Sequence, residues 1–285
     1  MANSMFGFPN NIDLATLSGG SWVATLPRAN LQNRQLGRVA RTTDTALAST
    51  QLVVDQGTDR LVRLFALANH NISLAGRYRL VASADPSFST ALAEVPWTDV
   101  WPVVYPSESV EWEDNSWWSG RYTAEDLEGI TPLLVIVLPQ PVNARYLRLE
   151  IDDTTNAAGY VQAGRVFVGP AWQPGKNPSY GASIGYETNT EVLSSLSGAE
   201  YFQERRPYRV TRFTLENLSI NEGMSNAFDM DRRAGISREV LWVFDPDDTE
   251  HALRRRFLGR FRQLSPIEYP YYSLTKKAYE IKELL

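Results

Sequence analysis

The stretch Ala144-Arg145-Tyr146-Leu147-Arg148-Leu149-Glu150-Ile151 alternates strictly, with Leu147, Leu149 and Ile151 on one side and Tyr146 and Arg148 on the other. Successive side chains of an extended strand point to opposite faces. A period of two therefore predicts a strand in a sheet with one buried and one wet face. Upstream, 131–138 is a continuous apolar run bounded by Pro132 and Pro139, short and β-branched enough to read as a buried strand. Shorter strand patterns occupy 52–55, 60–67 and 78–82, and a Pro-rich loop runs over 85–106. Strands at this spacing, separated by turn residues, predict a β-sandwich.

Downstream, 171–180 (Ala-Trp-Gln-Pro-Gly-Lys-Asn-Pro-Ser-Tyr) holds two prolines and a glycine, which preclude regular structure and mark a boundary. The expected organisation is an N-terminal arm over 1–30, a sandwich over 31–170, a Pro/Gly-rich connector over 171–183 and a second β-rich assembly unit over 184–285. Strand patterns resume in the last of these at 208–215, 239–244 and 278–285. One helix is expected, with Asp247 or Asp248 as N-cap, its end near Leu258 and Gly259 as the stop. Leu253, Phe257 and Phe261 would form its apolar stripe. The fold class is mostly β: a jelly-roll sandwich followed by a second β-rich unit with one amphipathic helix.

Composition narrows the function classes. Of 285 residues, 43% are hydrophobic and 21% charged, an ordinary globular balance that argues against a disordered chain. No apolar run approaches the eighteen or so residues of a membrane-spanning helix. Cysteine is absent, which removes disulfides, thiol nucleophiles and thiolate metal sites. His70 and His251 are the sole histidines, too few for a multi-histidine metal centre. The first six residues show no positive charge ahead of an apolar stretch, so no secretory signal is expected. Net charge is −5, so a nucleic-acid partner is not expected. Arginine outnumbers lysine 24 to 4, which either favours fixed bidentate contacts or reflects genomic base composition.

The densest chemical constellation is Val110-Glu111-Trp112-Glu113-Asp114-Asn115-Ser116-Trp117-Trp118-Ser119-Gly120-Arg121-Tyr122, which lies between apolar strands and reads as a loop. Flat aromatic faces stack on the C–H face of a sugar ring, while carboxylates, amides and arginine satisfy its hydroxyls. Trp112, Glu113, Asp114, Asn115, Trp117, Trp118, Arg121 and Tyr122 are the candidate carbohydrate-binding residues. The alternative is that these aromatics plug one end of the sandwich or sit in a subunit interface. Glu111 and Glu113 have a separation a glycosidase pair would tolerate, but nothing beside them would tune one as an acid, and catalysis is not expected. Asp245-Pro246-Asp247-Asp248 and Asp229-Met230-Asp231 lack the spacing of a calcium loop, and the former is better read as helix capping. No phosphate-binding glycine loop, dinucleotide fingerprint or nucleophile elbow occurs, so no cofactor is expected.

Several of these stretches together resemble tail-tip (minor tail or baseplate) proteins of long-tailed bacteriophages. They are Tyr105-Pro106, 117–129 (Trp-Trp-Ser-Gly-Arg-Tyr-Thr-Ala-Glu-Asp-Leu-Glu-Gly), 144–151 and 159–169 (Gly-Tyr-Val-Gln-Ala-Gly-Arg-Val-Phe-Val-Gly). The last two are also similar to the late strands of galactose-binding-like, discoidin-type sandwich domains. The C-terminal stretch 235–285 looks like the ending of the same tail proteins. The resemblance implies a virion structural protein of the tail, made in the host cytoplasm. Its implied partners are other phage tail proteins, further copies of itself in a threefold or sixfold ring, and host surface glycan. It carries no catalytic residues over. Many such sandwiches hold calcium, but no ligand set in this sequence can be assigned to one.

Overall fold

The computed structural model describes residues 2–105, 111–112, 120–123 and 125–285. The chain forms two compact units, one of Met1–Gln173 with Glu239–Leu258 and one of Pro174–Arg238 with Gly259–Leu285. The first begins with β1 (Met5–Gly7), β2 (Thr16–Ser18), β3 (Ala40–Arg41), β4 (Leu52–Ala68), β5 (Arg77–Ser83) and β6 (Ala93–Asp99). It continues through β7 (Leu133–Asp152), β8 (Gln162–Ala163), β9 (Arg165–Gly169) and β10 (Ala171–Trp172). β11 (Ser183–Glu187), β12 (Glu191–Ser194), β13 (Glu200–Gln203) and β14 (Tyr208–Ser219) belong to the second unit. β15 (Val240–Val243) belongs again to the first; β16 (Arg256–Phe261), β17 (Ile267–Tyr271) and β18 (Leu274–Glu283) complete the chain.

The fold is mostly β, as expected. In the first unit an antiparallel sheet runs β2-β4-β7-β5-β6, with β9 also paired to β4. The alternation at 144–151 lies in β7, and Leu147, Leu149 and Ile151 are buried while Tyr146 and Arg148 are half-buried on the other face. β7 joins two strands that the sequence separates, because Pro139 and Pro141 sit at an interruption of its ladder with β4, where no N–H is required. β4 likewise joins 52–55 and 60–67 through a register shift at Gly57, whose φ of 75° suits glycine. β6 falls inside the Pro-rich loop. It is an edge strand with little buried surface, and its Pro96 is tolerated there. The N-terminal residues are built into this unit, with Phe6 and Ile12 fully buried.

The long helical segment is not where the sequence places it. It comprises α1 (Ile220–Glu222), a π-helical stretch (Gly223–Phe228) and α2 (Asp229–Ala234). Ser219 caps it by accepting the Glu222 N–H, and Gly235 ends it at a φ of 52°. Over 247–258 only α3 (Ala252–Arg255) is helical, and from Arg256 the chain is strand. A spacing of four is also a multiple of two, so Phe257 and Phe261 align on one face of β16 as readily as on a helix. Neither Asp247 nor Asp248 is the N-cap of α3: that position is His251, which makes no side-chain cap, and Asp248 Oδ1 accepts the His251 N–H at 2.9 Å from three residues ahead.

In the second unit β14 pairs with β18 and β11, and Gly259–Phe261 of β16 pairs with the end of β18. Two ionic contacts are buried in it, Arg209 with Glu283 and Lys277 with Asp231. No helix among the described residues is long and apolar enough to cross a membrane.

Candidate ligand-binding site

The aromatic loop leaves β6 at Asp99 and re-enters described structure at Gly120. Val104 and Tyr105 both donate their backbone N–H to the Gly120 carbonyl, at 2.7 and 2.9 Å, closing the neck of the loop. Gly120 has a φ of 59°, and a Cβ there would stand 2.7 Å from the Tyr105 carbonyl oxygen, so glycine is required. Arg121 reaches back across this neck, with Nη1 donating to Leu74 O at 2.9 Å and Nη2 paired with Asp99.

Tyr122 is buried, its ring edge-on to Trp101 and Tyr105 at 6.2 and 6.0 Å. Its hydroxyl donates to Glu250 O at 2.8 Å, and burial pushes its pKa up. Trp101 is anchored by Nε1–H to Ile72 O at 3.1 Å. At the neck, therefore, Tyr122 is a buried plug and Arg121 a clamp. Trp112 is the exposed member, at 71%. Glu113, Asp114, Asn115, Trp117 and Trp118 lie outside the described residues.

Beside this aromatic cluster opens a cleft of about 220 Å³ within the first unit. Trp101, Tyr122, Tyr78 and Leu253 supply its apolar wall, and Asp99, Thr98 and Arg256 its polar groups. Arg256 is held by three carbonyls, its Nη2 donating to Asp245, Pro246 and Asp248 at 3.1, 2.9 and 2.6 Å. Burial lowers its pKa, opposed by the Asp248 and Asp245 carboxylates. Sequence reasoning missed Trp101, Tyr78, Asp99 and Arg256. They come from β5, β6 and 239–258, and no local spacing signals that these segments converge. The arrangement offers an apolar wall and fixed polar groups, and its carboxylate Asp99 is committed to Arg121. Among the described residues no cluster of three or more metal-ligating side chains occurs.

His70 closes the inner side of the cluster, its ring 5.5 Å from Trp101 and its Nδ1 accepting the Ile72 N–H. Burial lowers its pKa to about 3, so it is neutral in the folded protein. The unfolded chain takes up this proton near the ordinary 6.5, so stability is lost as pH falls through the window between the two values. A loss of about 2 kcal/mol between pH 6.5 and 5 follows at about 1.4 kcal/mol per pH unit. Denaturant titrations across this range should show that slope in the native chain and a flatter one in His70→Gln. Equal slopes would show that water reaches the imidazole.

No known family's sequence profile matches the chain, and no curated protein matches it by sequence. Several solved structures overlap it in part. A family 32 carbohydrate-binding module of Clostridium perfringens NanJ, in complex with galactose, overlaps 59% of this chain and 99% of its own, at 13% identity and a TM-score of 0.38. The lectin domain of lectinolysin complexed with Lewis B antigen overlaps 57% and 96%, at 16% identity and 0.37. The family 32 module of AlyQ in complex with 4,5-unsaturated mannuronic acid overlaps 54% and 92%, at 14% identity and 0.34. Overlap at this level transfers no ligand to this chain.

Proposed function

We propose that the first unit is a non-catalytic carbohydrate-binding module that takes a sugar at the Trp101–Tyr122 end. The observation that carries this reading is the cleft of the first unit in which Trp101 and Tyr122 form an apolar wall beside Asp99, itself paired with Arg121. Pre-positioned donors and acceptors against an aromatic wall are what a polyhydroxylated ring requires. In this reading exposed Trp112 offers a stacking face to the same sugar. Losing one stacked aromatic costs about 1–3 kcal/mol by analogy with base stacking, or roughly ten- to hundredfold in affinity. Trp112→Ala is thus expected to weaken binding of surface glycans in calorimetric titration by that factor while leaving Tm within a few degrees. A native chain that binds no glycan from a bacterial surface panel overturns the reading. A Trp112→Ala chain that loses several kcal/mol of stability returns the loop to the role of plug.

A second reading, that the chain is a structural component of a phage tail, draws on the family resemblance and on one feature of the second unit. β12 and β13 form a two-stranded hairpin exposed along its whole length, with Val192 opposite Phe202 and Leu193 opposite Tyr201. An isolated hairpin is marginal in water, and exposed apolar surface of this kind marks an interaction site. In this reading the hairpin docks on neighbouring tail proteins and the chain assembles as a threefold or sixfold ring. A map of the particle should show symmetric copies with Leu193 and Phe202 covered. Single asymmetric copies, or a solvent-exposed hairpin, would sink this reading.

A further inference from the structure

The second unit carries a groove of about 260 Å³ on the outer face of the β14–β18 pair. Its floor is small, because Thr214 and Ala278 stand directly opposite each other in the register. The chain before β11 forms one wall. Ser179 donates both its N–H and its hydroxyl to Thr214 O, at 2.9 and 3.0 Å, and Gly181 turns the chain with a φ of 94°. Between them Tyr180 projects with its side chain fully exposed, at 108%. Burial of such a ring by a stacked ligand is favourable, and no group among the described residues covers it.

Polar groups of both signs surround this floor. Arg212 bridges Glu187 and Glu280, and Arg262 bridges the same two carboxylates, with Nη1–oxygen distances of 2.8 to 3.0 Å. The closed four-membered ring holds the Glu187 carboxyl below its ordinary pKa, through hydrogen bonding and charge from Arg212 and Arg262. More usefully for recognition, it fixes donors and acceptors side by side with no net charge. Gln263 adds an amide that no group of the described residues engages.

We propose that this groove is a second ligand site, taking one neutral sugar ring stacked on Tyr180 with its hydroxyls on Arg212, Glu280 and Gln263. Neutrality follows from the rim. An anion would meet Glu280 and a cation would meet Arg212, whereas a vicinal diol uses a guanidinium donor and a carboxylate acceptor together. The volume holds one ring, below the size of a drug-sized pocket.

The site is independent of the one proposed in the first unit, and the test separates them. The probes are galactose, glucose, mannose and N-acetylglucosamine, each read by ligand-observed NMR on the intact chain at millimolar concentration. At least one sugar should give a signal that persists in Trp112→Ala and weakens about tenfold or more in both Tyr180→Ala and Ala278→Leu. Both positions are exposed, so circular dichroism should show an unchanged fold. No signal from any of the four sugars, or a signal that either variant leaves intact, overturns the proposal.

Discussion

Glu239→Ala is expected to cost the first unit about 3–5 kcal/mol, because it leaves a buried guanidinium without its main counter-charge. Arg165 is fully buried and Glu239 nearly so. Arg165 Nε donates to both Glu239 oxygens, at 3.0 and 3.1 Å, and its Nη2 pairs with Asp13 Oδ1 at 2.6 Å. Asn10 Nδ2 donates to Glu239 as well, and after the substitution it keeps only its bond to Val166 O at 3.0 Å. After it, the half-exposed Asp13 would be the remaining anion. A loss of this size is a large part of the 5–15 kcal/mol that holds a typical domain folded. Replacing both partners, as Arg165→Met with Glu239→Leu, should recover most of it, since desolvating an ion pair is itself unfavourable. Denaturant midpoints followed by tryptophan fluorescence decide this. A loss under about 1 kcal/mol for Glu239→Ala would mean the pair behaves as a surface salt bridge.

The same cluster makes the unit sensitive to acid. Burial raises the Asp13 pKa, but hydrogen bonds and charge from Arg165 and Arg34 outweigh it and the net shift is downward. A carboxylate depressed on folding stabilises above its unfolded pKa of about 3.9 and loses that contribution as pH falls through the folded value.

Trp242→Ala should be comparably damaging, at about 3–5 kcal/mol for an aromatic deleted from a closed core. Trp242 in β15 is fully buried and packs against Phe6 of β1, with ring centroids 4.8 Å apart. Phe6 in turn stacks on Trp172 of β10 at 5.0 Å. β1 lies between β10 and β15, so these rings tie the start of the chain to residues far along it. Trp242→Phe keeps a ring in place and should lose less than half as much. Thermal unfolding that leaves Trp242→Ala within a degree or two of the native chain would place the indole outside the core.

Much of the strand content is legible in the sequence. The alternation at 144–151 buries the face its period predicts, and the apolar run at 131–138 and the patterns at 208–215 and 278–285 fall largely within β7, β14 and β18. Those signals are local, because a strand with one buried face must repeat every two residues. The helix at 220–234 had a local signal too: Ser219 and Glu222 make a capping pair and Gly235 a stop, while Gly223, Ala227, Met230 and Ala234 form its buried stripe. Small residues and Met make that stripe weakly hydrophobic, whereas Leu253, Phe257 and Phe261 make a stronger one that belongs largely to a strand.

Of the residues that line the cleft, Tyr122 belongs to the stretch that sequence composition singles out, and the others carry no local signal. Trp101 follows an edge strand, Tyr78 sits in β5, and Arg256 lies more than a hundred residues away along the chain. Which residues share a space is set by sheet pairing over long sequence separations. Arg165 shows the same limit: it opens a strand buried at every position, and only the return of Glu239 to the first unit explains how a full positive charge is buried there. Local periodicity records which face of an element avoids water. The identity of what covers that face is a property of the whole chain, since burial and charge pairing are satisfied by whichever segments the fold brings together.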